Sequence, residues 1–246
     1  MMIHSYENGK RAKACIEYLR GLECARDIEN IVLLPIPSTR DNRTVSNTNI
    51  YINEVLGEVE RGTLVVGYSL PPDFADTVRA KGGYILDLFS DEDFLLENAD
   101  LTALCTIGVL LTTAERSPRD LSVGVVGYGR IGKRLTNLLL YLGAKVRVFT
   151  TRENTRIDLC EYGVSTSPSE SGADLSGIDI LINTAPAVIF AREDIPESLR
   201  VIDLASGNSF PWRDVERYPS VPAKMLPISA GKAWGRAIER FIVNNT

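Results

Sequence analysis

Histidine is nearly missing from this chain: His4 is the only one in 246 residues. An acid–base relay built on an imidazole therefore has one candidate, near the amino end, and a lone terminal histidine is ordinarily incidental. Cysteine is sparse too. Cys15, Cys24, Cys105 and Cys160 stand apart with no CxxC spacing, which excludes a thiolate metal site or a disulfide framework and predicts thiols in a reducing compartment. Positive charge is not in excess: the net charge of −5 and pI near 5.1 argue against a general nucleic-acid-binding face. The most apolar stretch, Leu101 to Ala114, is short and rich in threonine, so no membrane span is predicted. The opening residues MMIHSYENGKRAK hold no apolar core of a signal peptide. No repeat or low-complexity run occurs. These absences predict a cytoplasmic protein that engages neither membrane nor nucleic acid.

What is present centres on Leu121 to Arg152. A run of β-branched residues, Val123 to Val126, leads into Gly127-Tyr128-Gly129-Arg130-Ile131-Gly132, then an amphipathic helix and a second apolar run, Val146 to Phe149. Strand, glycine loop, helix and strand in this order form a dinucleotide-binding unit. Gly127 is expected to make the turn off the strand, Gly129 to let backbone approach a pyrophosphate, and Gly132 to let helix pack on sheet. The phosphates would lie at the helix N-terminus, where free N–H groups and the helix dipole favour negative charge.

Around this unit the chain reads as α/β. Asn8 to Leu22 has helical spacing, Ile31 to Ile36 reads as a strand, and a polar loop follows. Leu64 to Tyr68, a helix opened by Pro71-Pro72-Asp73, and Tyr84 to Leu88 continue the alternation. Asp93 to Arg116 is apolar on most sides and reads as a buried helix crossing between two domains. Beyond the glycine motif, Ile180 to Pro186, Val201 to Ser206 and Ala223 to Leu226 read as strands, Ser165 to Gly177 as a surface loop, and Gly231 to Val243 as a final helix. The expected divisions are residues 1–92, a connector at 93–116, a dinucleotide-binding domain at 117–228, and a helix at 229–246 packing back on the first domain.

The second strand of the glycine unit ends in Thr150-Thr151-Arg152, with Glu153 only after the arginine. An acidic residue there would hold a ribose 2′-hydroxyl; two hydroxyls and a guanidinium suit a 2′-phosphate instead. NADP(H) is therefore expected over NAD(H). Strand ends supply the other candidates. Thr184, Ala185, Pro186 and Ser206 are expected beside the cofactor, and Asn208 lies nearby. Ser38, Thr39 and Arg40 are candidates for a substrate carboxylate. Asn98 and Thr102 start the connector, and Lys232, placed just before the last helix, is a candidate proton donor or phosphate ligand.

The glycine motif, Asn183-Thr184-Ala185-Pro186, the VIDLAS segment at Val201 to Ser206, the DLF segment at Asp87 to Phe89, and the Leu226-Pro227…Lys232…Gly235 pattern occur together in a telling order. In this the chain resembles the family formed by the A subunits of dipicolinate synthase, within the D-2-hydroxyacid dehydrogenase-like superfamily. The resemblance implies two Rossmann-like doubly wound domains linked by a long buried helix, with the first shortened because the part equivalent to Met1 to Asn30 is brief. It also implies a cofactor cleft, NAD(P)-linked oxidation of a dihydrodipicolinate-like diacid in spore formation, and a flavoprotein partner subunit. A homo-oligomer such as a dimer is expected as well. Similar proteins carry N-x-x-P-T-x-E-G at the connector's start; here Asn98 and Thr102 persist while Leu101, Leu104 and Cys105 fill the Pro, Glu and Gly positions. Two other readings stand beside this one: a non-catalytic NADP(H)-binding module, and a D-2-hydroxyacid dehydrogenase-like enzyme lacking the usual histidine.

Overall fold

The computed structural model describes residues 2–22 and 28–245; Cys24 lies outside them. The chain divides into two compact units, Met1–Asn98 with Leu226–Thr246, and Ala99–Met225.

The first unit runs β1 (Met2–Ser5), α1 (Lys10–Arg20), β2 (Asn30–Leu33), a 3₁₀ segment (Ile52–Glu58), β3 (Leu64–Gly67), α2 (Pro72–Ala80) and β4 (Tyr84–Asp87). Its four strands are parallel and lie in chain order, β1-β2-β3-β4. Short parallel strands buried on both faces read as near-continuous apolar runs, as LVVG does here. Alternate residues divide between the faces: Val32, Leu34 and Val65 pack with Ile52, Val55 and Phe74, while Ile31, Leu33, Leu64 and Val66 are buried on the other side. The reversal of strand order that winds a sheet in both directions is absent from this sheet among the described residues.

α3 (Glu92–Thr113) leaves the first unit, and the division falls within it, between Asn98 and Ala99. By length and composition it is apolar enough to cross a membrane, contrary to the reading from its central stretch alone. Half of its most apolar window is buried, however, and Ala103, Ile107 and Leu110 belong to the core of the second unit, which accounts for its apolarity. Leu104 and Leu111, two turns apart, stay 49% and 59% exposed, so burial is one-sided.

The second unit continues with β5 (Ser122–Val126), α4 (Arg130–Tyr141), β6 (Lys145–Phe149), α5 (Glu153–Glu161), β7 (Ser165–Ser167), β8 (Ile180–Asn183), β9 (Arg200–Asp203), β10 (Glu216–Arg217) and α6 (Val221–Met225). All six strands are parallel, in the order β10-β9-β8-β5-β6-β7. This is the doubly wound dinucleotide-binding order, with its switch between β5 and β8. Helices α3, α4 and α5 cover one face through Leu110, Leu135, Leu139 and Leu159. The other face is closed mostly by loop residues, among them Phe190, Ile195, Leu199 and Phe210.

Two stretches differ from expectation. Ser165 to Ser167, expected in a loop, forms edge strand β7 against β6, because an edge position needs backbone bonds rather than apolar alternation. Ala223 to Leu226, expected as a strand, falls in α6 and the turn after it: Ser220 turns the chain at φ +53°, Pro222 is tolerated in a first turn, and Ala, Lys and Met favour helix.

α7 (Pro227–Asn245) completes the first unit against α1. The approach is backbone-close: a Cβ on Gly231 would lie 2.3 Å from the Arg11 carbonyl oxygen, and one on Gly235 would lie 2.5 Å from the Tyr18 ring. Trp234 is fully buried, with the Arg11 guanidinium 5.6 Å from its ring centroid. Arg236 pairs with Glu97, and Arg240 grips Asp91 through two bonds of 3.0 Å, tying α7 to the start of α3.

Candidate functional site

The glycine loop sits where β5 ends. Gly127 takes φ +88°, a left-handed conformation open mainly to glycine, and its N–H donates to Phe149 O at 2.8 Å. A Cβ on Gly132 would be 2.1 Å from the Gly127 carbonyl oxygen, so α4 can begin this close to the turn only without a side chain there. Gly129 is different. It precedes α4 at φ −82°, ψ −161°, and a Cβ there would meet nothing within 4 Å. Packing does not require this glycine; clearance above the helix N-terminus is what it leaves, as a phosphate-approach position should. The cradle therefore fits a dinucleotide.

Neighbouring residues divide between cradle and scaffold. Tyr128 and Ile131 pack against the core with part of their surface, and burial raises the Tyr128 hydroxyl above its usual pKa. Arg130 is exposed at the first position of α4. Thr184 braces the loop from β8: its hydroxyl donates to Val126 O at 2.8 Å, and its N–H donates to the same oxygen at 2.9 Å.

A buried polar pair lies at the ends of β8 and β9. Asn183 and Asp203 face each other in register, and Asn183 Nδ2 donates to Asp203 Oδ1 at 2.8 Å and to Ala185 O at 2.9 Å. Ala185 N–H returns to Asn183 Oδ1, Ala205 N–H donates to Asp203 Oδ1, and Ser209 Oγ donates to Ala185 O. This network holds the loops that carry Thr184–Pro186 and Ser206; Pro186 and Ser206 are themselves exposed. Asp203 is 1% exposed, and its Oδ2 has no hydrogen-bond partner among the described residues. Sequence reading missed the pair, since its members lie on separate strands.

After β6, Thr150 is buried and its hydroxyl accepts the Arg152 N–H at 3.3 Å. Of the two expected hydroxyls, Thr150 thus serves the turn, while Thr151 and Arg152 are exposed. A second guanidinium joins them: Arg156 donates to Thr150 O at 2.9 Å. Its helix, α5, gave little amphipathic signal, with Leu159 alone buried.

In the first unit, Ser38 is fully buried, donates to Pro35 O at 3.0 Å and accepts Tyr68 N–H at 2.7 Å. Thr39 is buried and donates to Asp41, whose carboxyl is held below its usual range by the Thr44 and Arg43 backbone N–H groups. These two side chains are turn supports, and Arg40 is the exposed member of the trio. Asn98 and Thr102 are one turn apart on α3, the latter buried. Lys232 lies within α7, not before it, because the helix begins at Pro227, and its side chain is exposed. Asn208 accepts a bond from Arg217. His4 is paired with Glu58 and stacked on Tyr6, within β1.

Among the described residues no group of three or more His, Cys, Asp or Glu could hold a metal ion. Cys15 and Cys105 are buried and Cys160 exposed, all free; burial pushes the Cys15 thiol up to about 12. A depression of about 660 Å³ beside Arg192, Glu193, Trp212 and Arg213 involves the loops flanking β9, and Arg213 is committed to the carbonyls of Pro196, Glu197 and Leu199.

No family model matches the chain, and no curated protein matches it in sequence. Solved structures do match its fold. The A subunit of dipicolinate synthase from Bacillus halodurans superposes with a TM-score of 0.74 at 20% identity, covering 98% of this chain and 96% of that one. The corresponding polypeptide of dipicolinate synthase from Bacillus subtilis gives 0.75 at 17% identity, covering 99% and 95%. A transhydrogenase from Sinorhizobium meliloti gives 0.63 at 14%, covering 98% and 93%. The chain thus has, over nearly its whole length, the Rossmann-like fold of the dipicolinate synthase A subunits, with its two parallel sheets.

Proposed function

We propose that the chain is a nicotinamide-dependent oxidoreductase that prefers NADP(H) and oxidises a small dicarboxylate of the dihydrodipicolinate type. One observation carries the nucleotide reading: Gly129 leaves open space at the N-terminus of α4, beside the switch point of a six-stranded parallel sheet. The first N–H groups of α4 would hold the pyrophosphate, with Gly127 and Gly132 keeping the turn tight. Thr151, Arg152 and Arg156 would take a 2′-phosphate, since guanidinium forks match its oxygens. When bound, the nicotinamide supplies a hydride acceptor. Thr184–Pro186 and Ser206 would line its place, held by the Asn183–Asp203 network. Arg40 would pair with a substrate carboxylate. Lys232 is assigned as proton donor in the reducing direction or as a phosphate ligand, with Asn98 and Thr102 orienting the reacting groups.

The names of the matched proteins support a partner subunit, proposed here as a flavoprotein, and the exposed Leu104 and Leu111 of α3 support a homodimer. A second reading, a nucleotide-binding module without turnover, is favoured by His4, on β1, being paired with Glu58. Titration with NADPH and NADH, followed by the nicotinamide absorbance with dihydrodipicolinate, separates the two. Tighter NADH binding overturns the phosphate assignment, and binding without turnover selects the module.

A further inference from the structure

An unneutralised buried charge stands close to the glycine turn. The registers of β5 with β8 and of β8 with β9 set Val126, Asn183 and Asp203 side by side at the carboxyl ends of adjacent strands. Neighbouring strands are about 4.8 Å apart, so Asp203 lies roughly 10 Å from the strand end that leads into Gly127. Hydrogen bonds span the interval: Asp203 accepts from Asn183, and the next residue, Thr184, donates to Val126 O and reaches Gly127 O at 3.4 Å. A brace for these loops needs only Asp203 Oδ1, which accepts the neutral donors Asn183 Nδ2 and Ala205 N–H. An asparagine would supply that acceptor equally well. The carboxylate brings a charge the brace does not use, and no Lys or Arg among the described residues pairs with it. Arg217, its register neighbour on β10, is exposed and donates to Asn208 instead. Burying an unpaired carboxylate is strongly unfavourable, so its presence calls for a compensating role.

We infer that the Asp203 charge sets which oxidation state of the nicotinamide cofactor the chain holds. With the 2′-phosphate assigned after β6 and the pyrophosphate after β5, the nicotinamide falls on the remaining side of the switch point, over β8 and β9. The oxidised ring is a cation and the reduced ring is neutral. A carboxylate inside the protein is screened little, so it attracts the first and not the second. Asp203 acts across a distance and through the loops it braces; it is not a catalytic residue. The chain thereby loads the form that an oxidation consumes and releases the reduced product. The inference deepens the proposed function and rests on its nucleotide reading, but on neither the choice of diacid nor the 2′-phosphate.

Calorimetric titration of the full chain tests it with NADP⁺, NADPH and 2′-phospho-ADP-ribose, which keeps the nucleotide and lacks the ring. The unaltered chain should bind NADP⁺ more tightly than NADPH. Asp203→Asn removes the charge and keeps the Oδ1 acceptor. It should weaken NADP⁺ by roughly tenfold and leave NADPH and the ringless nucleotide within about twofold of their original affinities. NAD⁺ and NADH should divide in the same direction, because the ring and not the 2′-phosphate feels the charge. Circular dichroism with thermal unfolding checks that the variant folds. Equal losses of all three ligands in Asp203→Asn reveal a brace alone and overturn the inference, as does an unchanged ratio of NADP⁺ to NADPH affinity. Tighter NADPH than NADP⁺ in the unaltered chain overturns it without any variant. Each of these results leaves the nucleotide reading intact. An unaltered chain that binds no nucleotide overturns that reading, and the inference with it.

Discussion

Two alanine substitutions three residues apart should have opposite consequences. In Gly132→Ala the new methyl would stand 2.1 Å from the Gly127 carbonyl oxygen and 3.1 Å from Thr184 Oγ1. The first of these is backbone, fixed by the bond from Gly127 N–H to Phe149 O, so no rotamer change relieves it. Helix α4 would have to retreat by about 1 Å, and forced overpacking of this kind costs roughly 1–3 kcal/mol. At the upper end, and at about 2–4 °C per kcal/mol, Tm should drop by roughly 6–12 °C. Gly129→Ala meets no atom within 4 Å and sits in an extended conformation that any residue adopts. Its lower chain entropy when unfolded and its poorer capping nearly cancel, leaving stability within about 0.5 kcal/mol. Its methyl would occupy the clearance assigned to a pyrophosphate. Losing charge-assisted bonds worth about 1.5–3 kcal/mol weakens nucleotide binding by roughly 10–100-fold. Thermal unfolding without ligand and NADPH fluorescence titration read the two effects separately. Unaltered NADPH affinity in Gly129→Ala would remove the phosphate site, and an unshifted Tm in Gly132→Ala would refute the packing argument.

Paired loss of Arg152 and Arg156 to alanine should lower NADPH affinity by roughly tenfold or more while leaving NADH affinity nearly unchanged; equal losses in parallel titrations would deny them a 2′-phosphate. Asp203→Asn keeps the acceptor for Asn183 and Ala205 and should fold with near wild-type stability, whereas Asp203→Ala should cost about 1–3 kcal/mol in urea unfolding. Equal costs for the two would show that the Asn183–Asp203 bond is not what matters. The Arg200 guanidinium lowers the Glu216 pKa, and the Ser122 backbone N–H lowers that of Asp179. A depressed folded value contributes stability above the unfolded pKa and loses it as pH falls through the folded one. Stability should thus hold from neutrality to about pH 5 and decline below about pH 4. Glu216→Gln should soften that decline in acid titrations followed by circular dichroism, and an identical decline would exclude the pair. Ending the chain at Met225 should abolish hydrogen-exchange protection in α1 and leave that of β5 and α4; intact protection in α1 would contradict its dependence on α7.

The glycine loop and its flanking strands were legible because three requirements coincide there: a β-branched run, glycines at fixed offsets and an amphipathic helix. Where only one signal exists, reading falters. Ser165 to Ser167 carries no apolar alternation, and Ala223 to Leu226 is a short apolar run that suits strand and helix alike. The site shows the same limit. Thr150 and Ser38 were credible ligands as hydroxyls at strand ends, yet burial commits both to their own turns. Asn183 and Asp203 could not be paired from the sequence, because they meet only when neighbouring parallel strands bring their ends together.

The first unit is discontinuous, and this orders events during synthesis. A ribosome delivers residues 99–225 as one uninterrupted segment, so the six-stranded layer is whole before α7 has been made. The strands β1 to β4 emerge earlier still, but α1 must wait some two hundred residues for the helix whose Gly231 and Gly235 it abuts. The layer translated first is thus finished last. A premature stop within α7 would spare the six-stranded layer and cripple the one made first.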